Sequence, residues 1–148
     1  MFHVVGGPGV SRNARLGPMT DWNALRQAAH EMTSRSYAPY SHYRVGAAAL
    51  VDDGRQVRGC NVENASYGLS LCAECGLVSD LLASGGGRLV AFCCVDARGV
   101  PIMPCGRCRQ LLWEHGGANL QVLSRDTVLT MAQLLPMAFD ADVLGGQG

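Results

Sequence analysis

Residues 71–108 read LCAECGLVSDLLASGGGRLVAFCCVDARGVPIMPCGRC, and the order of elements in that stretch sets the fold class. Leu71 to Ser84 reads as a helical run stopped by Gly85-Gly86-Gly87, because glycine takes the left-handed conformation that ends helices without penalty. Leu89 to Val95 is short and almost wholly apolar, the pattern of a strand covered on both faces. A second helix is predicted from Cys105 to about His115, with Pro104 leading into it and Gly116-Gly117 at its end.

Downstream, Leu120 to Leu123 reads as a further strand, and strand, helix, strand, helix, strand implies parallel pairing across right-handed connections. Upstream, Val45 to Val51 and Gln56 to Val62 are two strands joined by the hairpin turn Asp52-Asp53-Gly54-Arg55. Before them Leu25, Ala28, Ala29 and Met32 recur at helical spacing from Trp22, behind a start signal at Thr20 and Asp21. Leu129 to Leu135 is predicted as a last helix before a Gly-rich tail. The expected class is α/β, a mixed sheet with helices on its faces.

The 148 residues fit one core. With 48% hydrophobic and 16% charged residues the chain has the composition of a soluble globular protein. Twelve bases balance twelve acids, with no basic run, which argues against a nucleic-acid partner. All the bases are Arg, so lysine Schiff-base chemistry is excluded. No apolar run reaches the roughly 18 residues of a membrane span, and no secretory signal is evident, so no membrane partner and a cytoplasmic location are expected. Residues 1–18, rich in Gly and Pro and lacking acids, read as an extension outside the fold, leaving 19–148 as the domain.

Seven cysteines in a reducing compartment are more often metal ligands, nucleophiles or core fillers than disulfides. Cys72 opens one predicted helix; Cys105 and Cys108, three apart, open another. Three thiolates on adjoining helix starts make a tetrahedral zinc site with one position open, as in catalytic zinc sites. Cys75, three after Cys72, makes a closed four-sulfur site the competing reading on spacing alone. Context favours the open site, since both pairs start long apolar helices inside a well-filled α/β domain rather than hairpin knuckles. Glu74, between the potential ligands, is placed to act as general acid/base, although a glutamate at a helix start is also favoured by the macrodipole alone.

Cys72-Ala73-Glu74 followed by Pro104-Cys105-x-x-Cys108 resembles the zinc deaminase signature in its three-cysteine form. VGAA at Val45 to Ala48 and GCNVENASYG at Gly59 to Gly68 narrow the resemblance to the small cytidine deaminases of pyrimidine salvage, over about residues 21–140. The resemblance implies a three-layer α/β/α sandwich with a mixed five-stranded sheet, one zinc per subunit, a homotetramer, and conversion of cytidine and deoxycytidine to the uridine forms with release of ammonia. The partner is then a small-molecule pyrimidine nucleoside. A polynucleotide substrate is disfavoured by the zero net charge and by Cys rather than His at position 72.

By the same resemblance Cys72, Cys105 and Cys108 are the zinc ligands and Glu74 the proton shuttle. Asn61 and Glu63 are the ribose-binding pair for the 3′-hydroxyl, Ala73 belongs to the substrate wall, and Tyr43 stands where relatives commonly carry a Phe near the base. Phe139 matches an aromatic lent to a neighbouring subunit's pocket. Relatives often place Arg directly after C-A-E, where this chain has Cys75. Arg107, between two ligands, is therefore the candidate to offset the surplus thiolate charge, and Cys75 is expected to be a small core residue.

Overall fold

The computed structural model describes residues 19–145; the expected extension, residues 1–18, lies outside the described residues. Helix α1 (Trp22–Thr33) begins at Asp21, whose side chain accepts the Ala24 N–H at 3.0 Å, a polar N-cap of the expected kind. Strands β1 (Val45–Val51) and β2 (Gln56–Cys60) form the predicted hairpin. They are followed by α2 (Ala73–Ala83), β3 (Leu89–Asp96), β4 (Pro101–Ile102) and α3 (Gly106–Gly116). The chain ends in β5 (Gln121–Leu123), β6 (Val128–Thr130), the short α4 (Met131–Leu134) and a 3₁₀ turn at Ala141–Leu144.

The sheet order is β2-β1-β3-β5-β6, with β4 paired to β3. This is a mixed sheet of the expected class, with six strands where five were expected. The excess over the predicted strands comes from pieces too short to show a period, two-residue β4 and three-residue β6. Leu129 lies in β6 opposite Val122 and not in a helix. Thr130 then starts α4 through a reciprocal capping box with Gln133, so the expected helix over 129–135 shrinks to one turn. Parallel pairing holds for β3 and β5. Between β2 and β3, however, β1 is inserted antiparallel to both.

The sheet is covered on both faces, as the apolar run of β3 implied. Ala47, Ala49, Val51, Phe92 and Cys94 face one core with Leu77 and Leu81 of α2 and Leu112 of α3. The alternating Ala48, Ala91, Cys93 and Val95 face the other with Leu25, Ala28 and Ala29 of α1, the period of two that a strand imposes. Each fully buried Leu contributes about 1.5–3 kcal/mol. Two glycines set how closely helices approach. A Cβ at Gly46 would lie 1.9 Å from the Ala29 carbonyl oxygen, and one at Gly59 would lie 2.2 Å from that of Ala73. Gly46 thus seats α1, and Gly59 seats the first turn of α2 against β2. Among the described residues, no helix is long and apolar enough to cross a membrane.

Candidate metal centre and nucleoside cavity

The N-termini of α2 and α3 meet, and each has a cysteine at its N-cap. Cys72 (φ −67°, ψ 159°) and Cys105 (φ −65°, ψ 168°) are both extended N-cap residues, and neither side chain makes a capping hydrogen bond. Their sulfurs are therefore not spent on the helix ends. Cys108 follows three residues into α3 and is fully buried. The Sγ atoms of Cys72, Cys105 and Cys108 all lie within 4.8 Å of one another, with Cys72 and Cys105 at 3.9 Å. Tetrahedral zinc with Zn–S bonds of about 2.3 Å requires sulfurs about 3.8 Å apart. The donor set and its spacing fit a zinc ion at two positive helix ends.

Burial pushes the Cys72 thiol up, and the Cys108 thiol further up, with the charge of Glu74 adding to the effect on Cys108. For Cys105 burial also acts upward, but hydrogen bonds from Cys108 and Cys72 together outweigh it and hold this thiol down. Cation binding must release the protons of this cluster, since only thiolates ligate.

Cys75 stands apart from the cluster. Its sulfur accepts a hydrogen bond from Arg107 Nη2 at 3.4 Å, and that bond, with the sulfur's charge, raises the guanidinium's pKa. The expected Cys75, a small core residue, is instead half-buried and engaged by Arg107. Arg107 reaches the sulfur of Cys75 rather than hydrogen-bonding a ligand thiolate. The fourth sulfur of the closed-site reading is thus otherwise occupied.

Above the cluster opens a cavity of about 400 Å³, the size range of small-molecule sites. Cys72, Ala73, Glu74 and Cys105 line one side, and Ser41, Tyr43, Asn61 and Glu63 another. Glu74 is only 4% exposed yet borders the cavity, one residue from Ala73, which is fully buried. Cys94, Ile102 and Met103 join Val45 and Leu71 in the cavity's apolar lining. Cys94, Ile102, Met103 and Ser41 were not singled out from sequence: Cys94 is hidden in an apolar strand, Ile102 lies in a strand of only two residues, and Met103 and Ser41 lie in connections without a motif.

Sequence similarity agrees with the cavity's position. The family described as "Cytidine and deoxycytidylate deaminase zinc-binding region" matches residues 19–124, a span that contains all three cluster cysteines and Glu74. The chain belongs to this deaminase family. A cytidine deaminase of Mycobacterium tuberculosis is 56% identical over 127 residues, covering 86% of this chain and 96% of its own. The crystal structure of cytidine deaminase from that organism superposes with a TM-score of 0.80 at 56% identity, over 82% of this chain and 98% of the other. The cytidine deaminase of Mycobacterium leprae gives 0.79 at 58% identity, over 80% and 99%. The family assignment and the three-sulfur cluster together give this deaminase chain a site for one zinc.

Asn61 and Glu63 are held by their own hydrogen bonds. Asn61 Oδ1 accepts from Val45 N at 2.9 Å and from the Ser36 hydroxyl, while Nδ2 donates to Tyr43 O at 2.8 Å. One amide hydrogen is left over. Glu63 Oε1 accepts from the backbone N–H groups of Tyr40 and Ser41 and from Ser41 Oγ, whereas Oε2 accepts from Ser41 N alone. Tyr43 is 52% exposed at the rim. Phe139 is not brought to this cavity: it is 58% exposed, its carbonyl accepting Gln110 Nε2 at 2.8 Å.

Proposed function

We propose that this deaminase converts cytidine and deoxycytidine to uridine and deoxyuridine, with water as co-substrate and ammonia as product, in pyrimidine salvage. The observation that carries the reading is a buried carboxylate, Glu74, bordering a nucleoside-sized cavity beside three clustered thiols. Cys72, Cys105 and Cys108 would hold the zinc, which when bound supplies a water acidified toward a pKa of about 7. Glu74 accepts the proton of that water and delivers it to ring N3, making C4 electrophilic. As the C4–O bond forms and the C4–N bond breaks, Glu74 takes the second proton from the oxygen added at C4 and passes it to the departing amino group, which leaves as ammonia and leaves a C4 carbonyl with the first proton on N3. Its burial excludes bulk water from these transfers.

Asn61 and Glu63 are read as the ribose pair: the spare amide hydrogen donates to a hydroxyl, and Oε2 accepts that hydroxyl's proton in a hydrogen bond. A single 3′-hydroxyl satisfies both. The Ala73 backbone and the Tyr43 ring flank the base. Three thiolates exceed the charge of zinc by one, and Arg107, whose guanidinium senses Cys72 and Cys108 as well as Cys75, is assigned to offset the surplus. The exposed Tyr37, Tyr40, Tyr67 and Leu69 support assembly into a homo-oligomer, which we take to be a tetramer, in which Phe139 completes a neighbour's pocket. Residues 1–18 are assigned to an extension and 19–148 to the deaminase domain. Free thiols at all seven cysteines favour a reducing, cytoplasmic location.

An ultraviolet assay of the zinc-loaded protein with cytidine, deoxycytidine, cytosine and adenosine tests the reading. Turnover of the two cytosine nucleosides alone is expected; turnover of none, or of adenosine only, overturns it.

A further inference from the structure

We propose that Ser41 is a positioning residue that sets substrate affinity by aiming the Glu63 carboxylate at the nucleoside's 3′-hydroxyl; the inference rests on the function just given. Ser41 sits in the loop between α1 and β1 and borders the same cavity. Its hydroxyl is spent twice. It donates to Glu63 Oε1 at 3.2 Å and accepts the backbone N–H of Tyr43 at 3.0 Å. Its own backbone N–H is shared between both Glu63 oxygens, each at 3.2 Å. One residue thereby fixes the rotation of the carboxylate and leaves Oε2 with spare acceptor capacity.

The same hydroxyl ties the two sugar-side residues into one unit. By holding Tyr43 N it places the Tyr43 carbonyl, which accepts Asn61 Nδ2 at 2.8 Å. Ser41 is thus linked directly to Glu63 and, through the backbone of Tyr43, to Asn61. The backbone of the loop supports this arrangement. His42 adopts φ +56°, an uncommon conformation for a residue with a Cβ, and its N–H returns to Ala38 O at 3.0 Å. That tight turn directs the successive N–H groups of Tyr40 and Ser41 at one carboxylate. The hydroxyl's single proton is committed to Glu63 and one of its lone pairs to Tyr43 N, so the contacts in place carry its effect on substrate through Glu63 and Asn61.

The test pairs a residue change with a substrate change. Steady-state kinetics of zinc-loaded Ser41→Ala with cytidine should show KM raised about 5–20-fold, the worth of about one hydrogen bond, with kcat nearly unchanged. With 3′-deoxycytidine, which lacks the hydroxyl that Glu63 would hold, the same substitution should change kcat/KM by less than about 2-fold. Ser41→Thr, which keeps a hydroxyl, should restore cytidine KM. Equal losses on both substrates, or unchanged KM for cytidine, overturn the assignment while leaving deamination standing. Failure of the unaltered chain to deaminate cytidine overturns the functional reading and this inference with it.

Discussion

The two walls of the cavity are built by different means. The metal wall stands on regular structure: Cys72 and Cys105 cap helices, Cys108 and Glu74 lie in first turns, and both of the latter are buried. The wall proposed to hold the sugar stands on loops: Ser41 and Tyr43 precede β1, Asn61 and Glu63 follow β2, and hydrogen bonds between the two segments hold them. Helix ends brought together by a packed core impose their geometry through many contacts. Loop residues rely on a few polar bonds. The chemistry of such a site should therefore tolerate little change, and its sugar affinity should be tunable.

Glu74→Gln puts the greatest pressure on that contrast. Gln fills the same space and carries no transferable carboxyl proton, so activity should fall by about 10²–10⁴-fold or more with zinc and folding retained. Metal analysis beside kinetics decides, and near-normal turnover would refute the proton-transfer role.

Next in size is a probe of how the metal wall is seated. Gly59→Ala would drive a Cβ to 2.2 Å from Ala73 O and 2.5 Å from Leu77 N, a conflict with backbone that costs about 3 kcal/mol if the helix must shift. Thermal unfolding and zinc content should both fall. Gly68→Ala, in the exposed connection from β2 to α2 that also carries Asn61 and Glu63, meets nothing within 4 Å and should change stability by no more than about 0.5 kcal/mol. Equal effects of the two changes would remove the distinction between the walls.

Arg107→Ala should leave the fold intact and lower metal affinity or kcat by about 10–100-fold, the usual consequence of removing support for a metal's ligands. Competition with a chelator measures it, and unchanged metal retention with unchanged kcat would confine Arg107 to its bond with Cys75. The smallest effect is expected from Phe139→Ala, which should raise KM a few-fold or loosen assembly without displacing zinc. Light scattering that found the unaltered chain fully active as a monomer would refute the shared pocket.

Much of the metal wall was legible in the sequence because its signals are local. Pro104 and the Cys105–Cys108 spacing mark a helix start, and Cys72 with Glu74 marks another. The departures have causes of two kinds, local and tertiary. Cys72 and Cys105 are caps rather than first-turn residues, a shift of one position at boundaries that periodicity defines loosely. The helix expected over 129–135 gave way to β6 because pairing with β5 claimed Val128 to Thr130, a tertiary demand that outweighs helical spacing in so short a segment.

The order of amino acids carries the set of chemical groups and the elements that bear them: a three-cysteine donor set, a carboxylate at a helix start, a hairpin, and a strand apolar enough to be covered twice. Capping, periodicity and turn chemistry act over a few residues and can be read in order. Folding in three dimensions settled which sulfurs converge, that Cys75 turns to Arg107, that β1 lies between β2 and β3, and that Ser41 meets Glu63. Those pairings join segments distant in the chain, and their geometry follows from how helices pack on a sheet, with Gly46 and Gly59 permitting the approach.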